Sequence, residues 1–204
     1  MDRILRMKKL FLYVLVTLLS VSTSFALPQP QVRVEEMVNT VLGVLQQKDL
    51  SQAEKRAEVS GRVQEYLNIE SIVRRTLGTY WAGATEEQRQ QFATLFIKIL
   101  EGTYLNRMDG YSDGTVKYLK QRVKGNKAIV DTLVVSKEME IPVQYKMIYN
   151  DGRWQVFDLV LEGISLVRNY RSSYGEIIRR EGYDGLLALM DKKVQEMESS
   201  ESSM

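Results

Sequence analysis

The chain has 204 residues, with 28 Lys+Arg against 26 Asp+Glu and neither Cys nor His. Without Cys there is no disulfide, thiolate nucleophile or thiolate metal site, and without His neither Ser-His-Asp nor Cys-His catalysis can be built. The near-zero net charge of +2 offers no broad attraction for nucleic acid.

Arg3, Arg6, Lys8 and Lys9 precede an apolar run from Leu10 to Val21, and Ser24-Phe25-Ala26 follows. That layout predicts a cleavable export signal over residues 1–26, cut after Ala26 and placing the protein in the periplasm. The apolar run is 12 residues, short of the roughly 20 that span a bilayer. No Cys stands near the cut to carry a lipid anchor. The signal holds four of the basic residues and one of the acidic, so the remaining 178 residues carry a net charge of −1. A chain of that length forms one domain, expected over 27–198, with a disordered polar tail over 199–204.

Pro28 and Pro30 give an extended lead-in. Val34, Met37, Val38, Val41, Leu42 and Leu45 then recur at helical spacing. Ser51-Gln52-Ala53-Glu54 is a capping box opening a second helix that ends near Tyr66. Ile69, Ile72, Val73 and Leu77 mark a short third one. Thr85-Glu86-Glu87-Gln88 caps a fourth over 85–108, whose stripe runs through Phe92, Leu95, Phe96, Ile99, Leu100 and Tyr104.

After Gly110 the period changes to two. Strands are expected from Val116, over Ala128–Val135, around Ile141–Met147 and over Trp154–Leu161, with turns at Gly125-Asn126 and Asn150-Asp151-Gly152. Pro142 makes its strand an edge or bulged at that point. Glu162-Gly163 predicts a bulge or bend, with Glu162 capping nearby backbone donors. Helices follow over Ser165–Arg180 and from Asp184. The order of elements predicts an α+β fold, with helices packed on one face of a curved antiparallel sheet.

Several segments resemble one family. Leu77-Gly78-Thr79-Tyr80-Trp81, Ala84-Thr85-Glu86-Glu87-Gln88-Arg89, Phe92 and Phe96 form one block. Gly152-Arg153-Trp154-Gln155-Val156-Phe157-Asp158 and Leu161-Glu162-Gly163-Ile164-Ser165-Leu166-Val167 form another. Asn169-Tyr170-Arg171 and Gly182-Tyr183-Asp184-Gly185-Leu186 follow in order. Together they resemble the MlaC-type periplasmic phospholipid-binding proteins, also called toluene-tolerance proteins. The resemblance implies a nuclear-transport-factor-like cone with extra helices and acyl chains held between sheet and helices. It implies a monomeric shuttle between an outer-membrane lipoprotein complex and an inner-membrane ABC transporter complex, with phospholipid as cargo and no cofactor.

The residue types suit such a pocket. Burying each CH₂ is worth about 0.8 kcal/mol, so two acyl chains of roughly 30 methylenes would cost more than ~20 kcal/mol to expose. Tyr80, Trp81, Phe92, Phe96, Leu100, Tyr104 and Tyr170 offer apolar surface from the helices. Val143, Tyr145, Met147, Val156 and Val160 offer it from alternate strand positions. The same stripes also describe ordinary core. Arg168 and Arg171 are candidates for a lipid phosphate, and Arg74-Arg75 and Arg179-Arg180 for a docking surface. Trp154 reads as a packing anchor, and Asp158, set between Phe157 and Leu159, as a buried carboxylate with a backbone partner. Two other functions stay open: an envelope assembly protein without a cargo cavity, and an isomerase-like enzyme using Asp158 with Tyr145 or Tyr170.

Overall fold

A computed structural model describes residues 28–105, 114–136 and 139–201. The expected export signal, the end of the helix expected over 85–108 and the last three residues of the tail lie outside them.

Helix α1 (Pro30–Leu45) starts on a proline, whose missing N–H costs nothing at the first helical position. Helix α2 (Gln52–Val63) opens with the Ser51/Glu54 capping box in both directions. It passes through a 3₁₀ turn at Gln64–Tyr66. Asn68 then caps helix α3 (Ile69–Leu77), its Oδ1 accepting from Ser71 N at 2.9 Å. After a second 3₁₀ turn, Gly78–Gly83, the Thr85/Gln88 capping box opens helix α4 (Glu86–Tyr104).

Strands β1 (Thr115–Lys124), β2 (Lys127–Ser136), β3 (Met139–Asn150), β4 (Arg153–Leu161) and β5 (Ile164–Ser165) form an antiparallel meander in sequence order. The Asn150-Asp151-Gly152 signal is a tight hairpin: Asp151 and Gly152 sit at φ 49° and 79°, as a type I′ turn requires. Glu162 and Gly163, at φ 49° and 83°, make a second turn of that kind between β4 and β5. Of the expected bulge or bend it is thus the bend, and the capping carboxylate is corrected: Glu162 acts through its own backbone N–H, which donates to Pro142 O at 3.1 Å. That bond also explains Pro142. A strand residue points its N and its C=O to the same side, and β3–β4 pairing begins only at Val143↔Leu161. The absent N–H thus lies just beyond the ladder, at a locally free edge, while pairing to β2 continues through Leu133↔Pro142.

Helix α5 (Leu166–Glu201) contains one non-helical residue, Gly182 at φ 76° and ψ −178°. The break separates the two helices expected from the sequence. The second continues through Glu201, so residues 199–201 are helical where a disordered tail is expected.

Among the described residues, the buried apolar side chains form two large clusters and a small one. The first joins α3, α4 and α5 through Val73, Leu77, Phe92, Leu95, Phe96, Ile99, Tyr174, Leu186 and Met190. The second joins one sheet face to α1 through Val34, Met37, Val130, Tyr145, Met147, Trp154 and Val156. Val44, Leu45 and Val59 tie α2 to the end of α1.

Candidate functional site

Strand register decides which side chains can share a cavity. Val143, Tyr145, Met147 and Val156 all belong to the sheet cluster. Val160 does not. Lys146 pairs with Asp158 but Met147 pairs with Val156, so Phe157 is an extra residue in β4. A bulge of one residue flips every side chain beyond it to the other face. Val160, opposite Gln144 and Ser165, therefore lies on the face away from Val143 and Tyr145. The expectation that it shares their face is corrected on this ground. Leu159 and Leu161, which strict alternation would send the other way, pack against the sheet cluster. The signal was present in the sequence: Trp154, Val156, Leu159 and Leu161 step by two, three and two, with Asp158 displaced between them.

The bulge also sets the role of Asp158, only 6% exposed. Its Oδ2 accepts from Lys146 Nζ at 2.9 Å and Ser165 Oγ at 2.7 Å, and its Oδ1 from Val167 N at 3.1 Å. Ser165 Oγ in turn accepts from Arg168 N at 3.1 Å. One buried carboxylate thus fastens the first turn of α5 to the sheet, satisfying backbone donors that a helix start leaves unpaired. Tyr145 points to the opposite face, so these two residues do not assemble an acid–base pair. Burial pushes the Tyr145 phenol up to about 12, opposed in part by a hydrogen bond with the Thr132 side chain. Thr132 Oγ1 itself donates to Val143 O at 3.2 Å.

On the helical side, Phe92 and Phe96 are 1% exposed. They face protein rings: Phe92–Phe96 centroids are 5.5 Å apart, and Phe96–Tyr170 and Phe96–Tyr174 are T-shaped at 5.0 and 5.9 Å. Leu100 and Tyr170 are half-buried at the margin of that cluster. Tyr104 is half-buried in the last turn of α4. Tyr80 and Trp81 sit in the 3₁₀ turn before α4. There the Tyr80 carbonyl accepts from Tyr183 Oη, and Arg89 Nη2 donates to Trp81 O at 2.9 Å while its guanidinium stacks on the indole at 4.5 Å. Trp154 is the anchor expected of it, 1% exposed, with Nε1 donating to Pro28 O at 2.6 Å.

The sheet cluster has its own margin. Tyr118, Val134, Ile141, Leu159 and Leu161 are half-buried apolar residues packed against it. The alternation in the sequence places Ile141 on this buried face, but none of the five was among the residues expected to contact lipid. Elsewhere, an open groove of about 560 Å³ lies between the N-terminal lead-in and the β3–β4 hairpin, lined by Val32, Arg33, Glu36, Glu65, Arg153 and Trp154 among others. None of the residues expected to contact lipid lines it.

Comparison with known proteins fits this arrangement. The intermembrane phospholipid transport system binding protein MlaC of Haemophilus influenzae is 22% identical over 206 residues, spanning 95% of this chain and 96% of the relative. The fold matches that of a phospholipid-binding protein from Ralstonia solanacearum, solved in complex with a phospholipid. The TM-score is 0.78 at 22% identity, covering 83% of this chain and 99% of that one. Residues 35–192, most of the chain, match the sequence model of the MlaC protein, and the chain belongs to that family.

Proposed function

We propose that this protein is a periplasmic carrier, exported by its cleavable signal, that buries phospholipid acyl chains between its sheet and its helices. It would pass lipid between an outer-membrane lipoprotein complex and an inner-membrane ABC transporter complex, and it needs no cofactor and carries out no catalysis. The observation that carries this reading is the divided interior. A domain of this size usually has one contiguous core with minor satellites. Here a sheet cluster and a helical cluster of similar size stay separate, each with half-buried apolar residues at its margin. Leu100, Tyr104 and Tyr170 on the helices, and Val143, Leu159 and Leu161 on the sheet, are the side chains we assign to the acyl chains. The phospholipid complex of the Ralstonia protein, which has the same fold, supports the choice of cargo.

The energetics define what the site must do. Exposing two acyl chains to water costs more than ~20 kcal/mol, and the cavity has to offset most of it. It must not exceed what the acceptor offers, or release would stop.

The test is native mass spectrometry of the exported protein, followed by organic extraction. A phospholipid adduct at one per molecule is expected. Leu161→Trp, which fills the margin, should lower occupancy several-fold with the protein still folded. A folded protein that stays empty after incubation with phospholipid vesicles would refute the carrier reading and leave the envelope assembly role.

A further inference from the structure

Among the described residues, Arg33, Arg62, Arg89, Arg122, Arg179 and Arg180 each pair with a carboxylate. Arg153, at the start of β4, does not, and neither do Arg74, Arg75, Arg168 and Arg171, four that gather where the end of α3 is bonded to the start of α5. Arg74 and Arg75 end α3, and Arg168 and Arg171 stand one turn apart at the start of α5. Arg171 joins the two helices: its Nε donates to Arg75 O at 2.5 Å. Its stem crosses Gly78 so closely that a Cβ there would meet Arg171 Cδ at 3.1 Å. The Arg75 guanidinium lies over the Phe157 ring at 4.3 Å, and its Nε donates to Ser71 Oγ at 3.0 Å. Both guanidinium groups are thus held through Nε, while their terminal Nη groups have no acceptor among the described residues. The nearby carboxylates do not neutralise them. Glu70, one turn before Arg74, and Glu162, on the β4–β5 turn, pair with none of the four, and Asp158 is occupied by Lys146, Ser165 and Val167.

We propose that this cluster is a docking surface for the phosphate groups of an anionic lipid bilayer. A guanidinium held by Nε presents its remaining N–H groups as a fork that matches two phosphate oxygens, and holding it beforehand lowers the entropic cost of binding. A protein partner fits less well. A stable protein interface needs about 800 Å² per side with an apolar or aromatic centre. The large exposed apolar residue closest along the chain is a single one, Ile164, 61% exposed and four residues before Arg168. One apolar side chain beside several cations suits the headgroup boundary of a membrane. Each basic residue near an anionic surface raises partitioning roughly fivefold, and salt screens the effect within a Debye length.

The experiment is flotation of the purified protein with vesicles of equimolar phosphatidylglycerol and phosphatidylcholine, against vesicles of phosphatidylcholine alone. Binding is expected only to the anionic vesicles, and to fall steeply with salt. The double substitution Arg74→Gln/Arg168→Gln, at two exposed side chains that hold nothing in place, should lower partitioning roughly 25-fold with an unchanged Tm. Arg75→Gln/Arg171→Gln should lower it at least as far, whereas Arg179→Gln/Arg180→Gln should leave it within about twofold. Equal binding to neutral vesicles, indifference to salt, or full binding by the first double variant would overturn the proposal. So would capture of an acidic protein through these arginines without any vesicle binding. Lipid occupancy of the same variants, read by native mass spectrometry, keeps this outcome separate from the carrier reading.

Discussion

The helical and sheet clusters are built from similar apolar material but are closed in different ways. In the helical cluster, Phe92, Phe96, Tyr170 and Tyr174 meet one another at centroid distances of 5.0 to 5.9 Å, and Leu186, Leu187, Met190 and Val194 of α5 complete it. In the sheet cluster, α1 covers Val130, Met147, Trp154 and Val156 through Val34 and Met37, while Val134, Ile141, Leu159 and Leu161 remain half-buried at the margin. Burial alone therefore does not mark a pocket. The deepest aromatic residues are the ones most completely satisfied by protein, and the side chains proposed to take the acyl chains are, Val143 apart, of intermediate exposure.

Truncating Phe96 gives the sharpest contrast. Phe96→Ala removes a ring that touches three others, and a buried Phe→Ala change costs about 3–5 kcal/mol. Urea denaturation should show that loss, while the fraction of folded molecules carrying lipid stays unchanged. Leu161→Trp should do the reverse, with occupancy falling several-fold and stability changing by at most about 1–3 kcal/mol, the ordinary cost of a small-to-large change. If Phe96→Ala emptied the protein without destabilising it, Phe96 would be a lipid contact rather than closed core.

Alkaline pH separates the clusters less strongly. Each contains a buried tyrosine, Tyr145 in the sheet cluster and Tyr174 in the helical one. Burial raises both phenols, Tyr145 to about 12. The folded protein keeps the Tyr145 proton where the unfolded chain has lost it. Its contribution is thus complete below pH 10 and disappears as pH rises through 12. The loss is on the order of 2–3 kcal/mol over that interval. In Tyr145→Phe the stability curve should be flatter between pH 10 and 12 than in the wild type. An unchanged curve would mean that water reaches the phenol.

What the sequence made legible follows from which signals are local. Both capping boxes, the Asp151-Gly152 hairpin and the break at Gly182 rest on neighbouring residues, and each is where it was expected. The antiparallel meander followed from strands joined by two-residue turns. The faces of β4 were misassigned beyond Phe157 because strict alternation was assumed, although the two-three-two spacing of Trp154, Val156, Leu159 and Leu161 carried the bulge. That one residue exchanged Val160 for Leu159 and Leu161 among the candidates, whereas Asp158 is the buried carboxylate with a backbone partner that was expected, accepting from Val167 N. Arg171 was visible as a cation, but its contacts with Arg75 and Gly78 join segments more than 90 residues apart.

Gly182 offers the smallest of these tests. It adopts φ 76° and ψ −178°, a region essentially reserved for glycine, and nothing lies within 4 Å of where a Cβ would stand. Gly182→Ala therefore introduces backbone strain without a clash, at a cost of about 1–2 kcal/mol. The strain falls where the chain turns to lay Leu186, Leu187, Met190 and Val194 against the other helices. It should lower Tm equally in lipid-loaded and delipidated protein, because these four side chains belong to the buried helical cluster and none is assigned to the acyl chains. A larger loss in the delipidated form would mean that lipid supports this helix, and that the helical cluster is not self-sufficient.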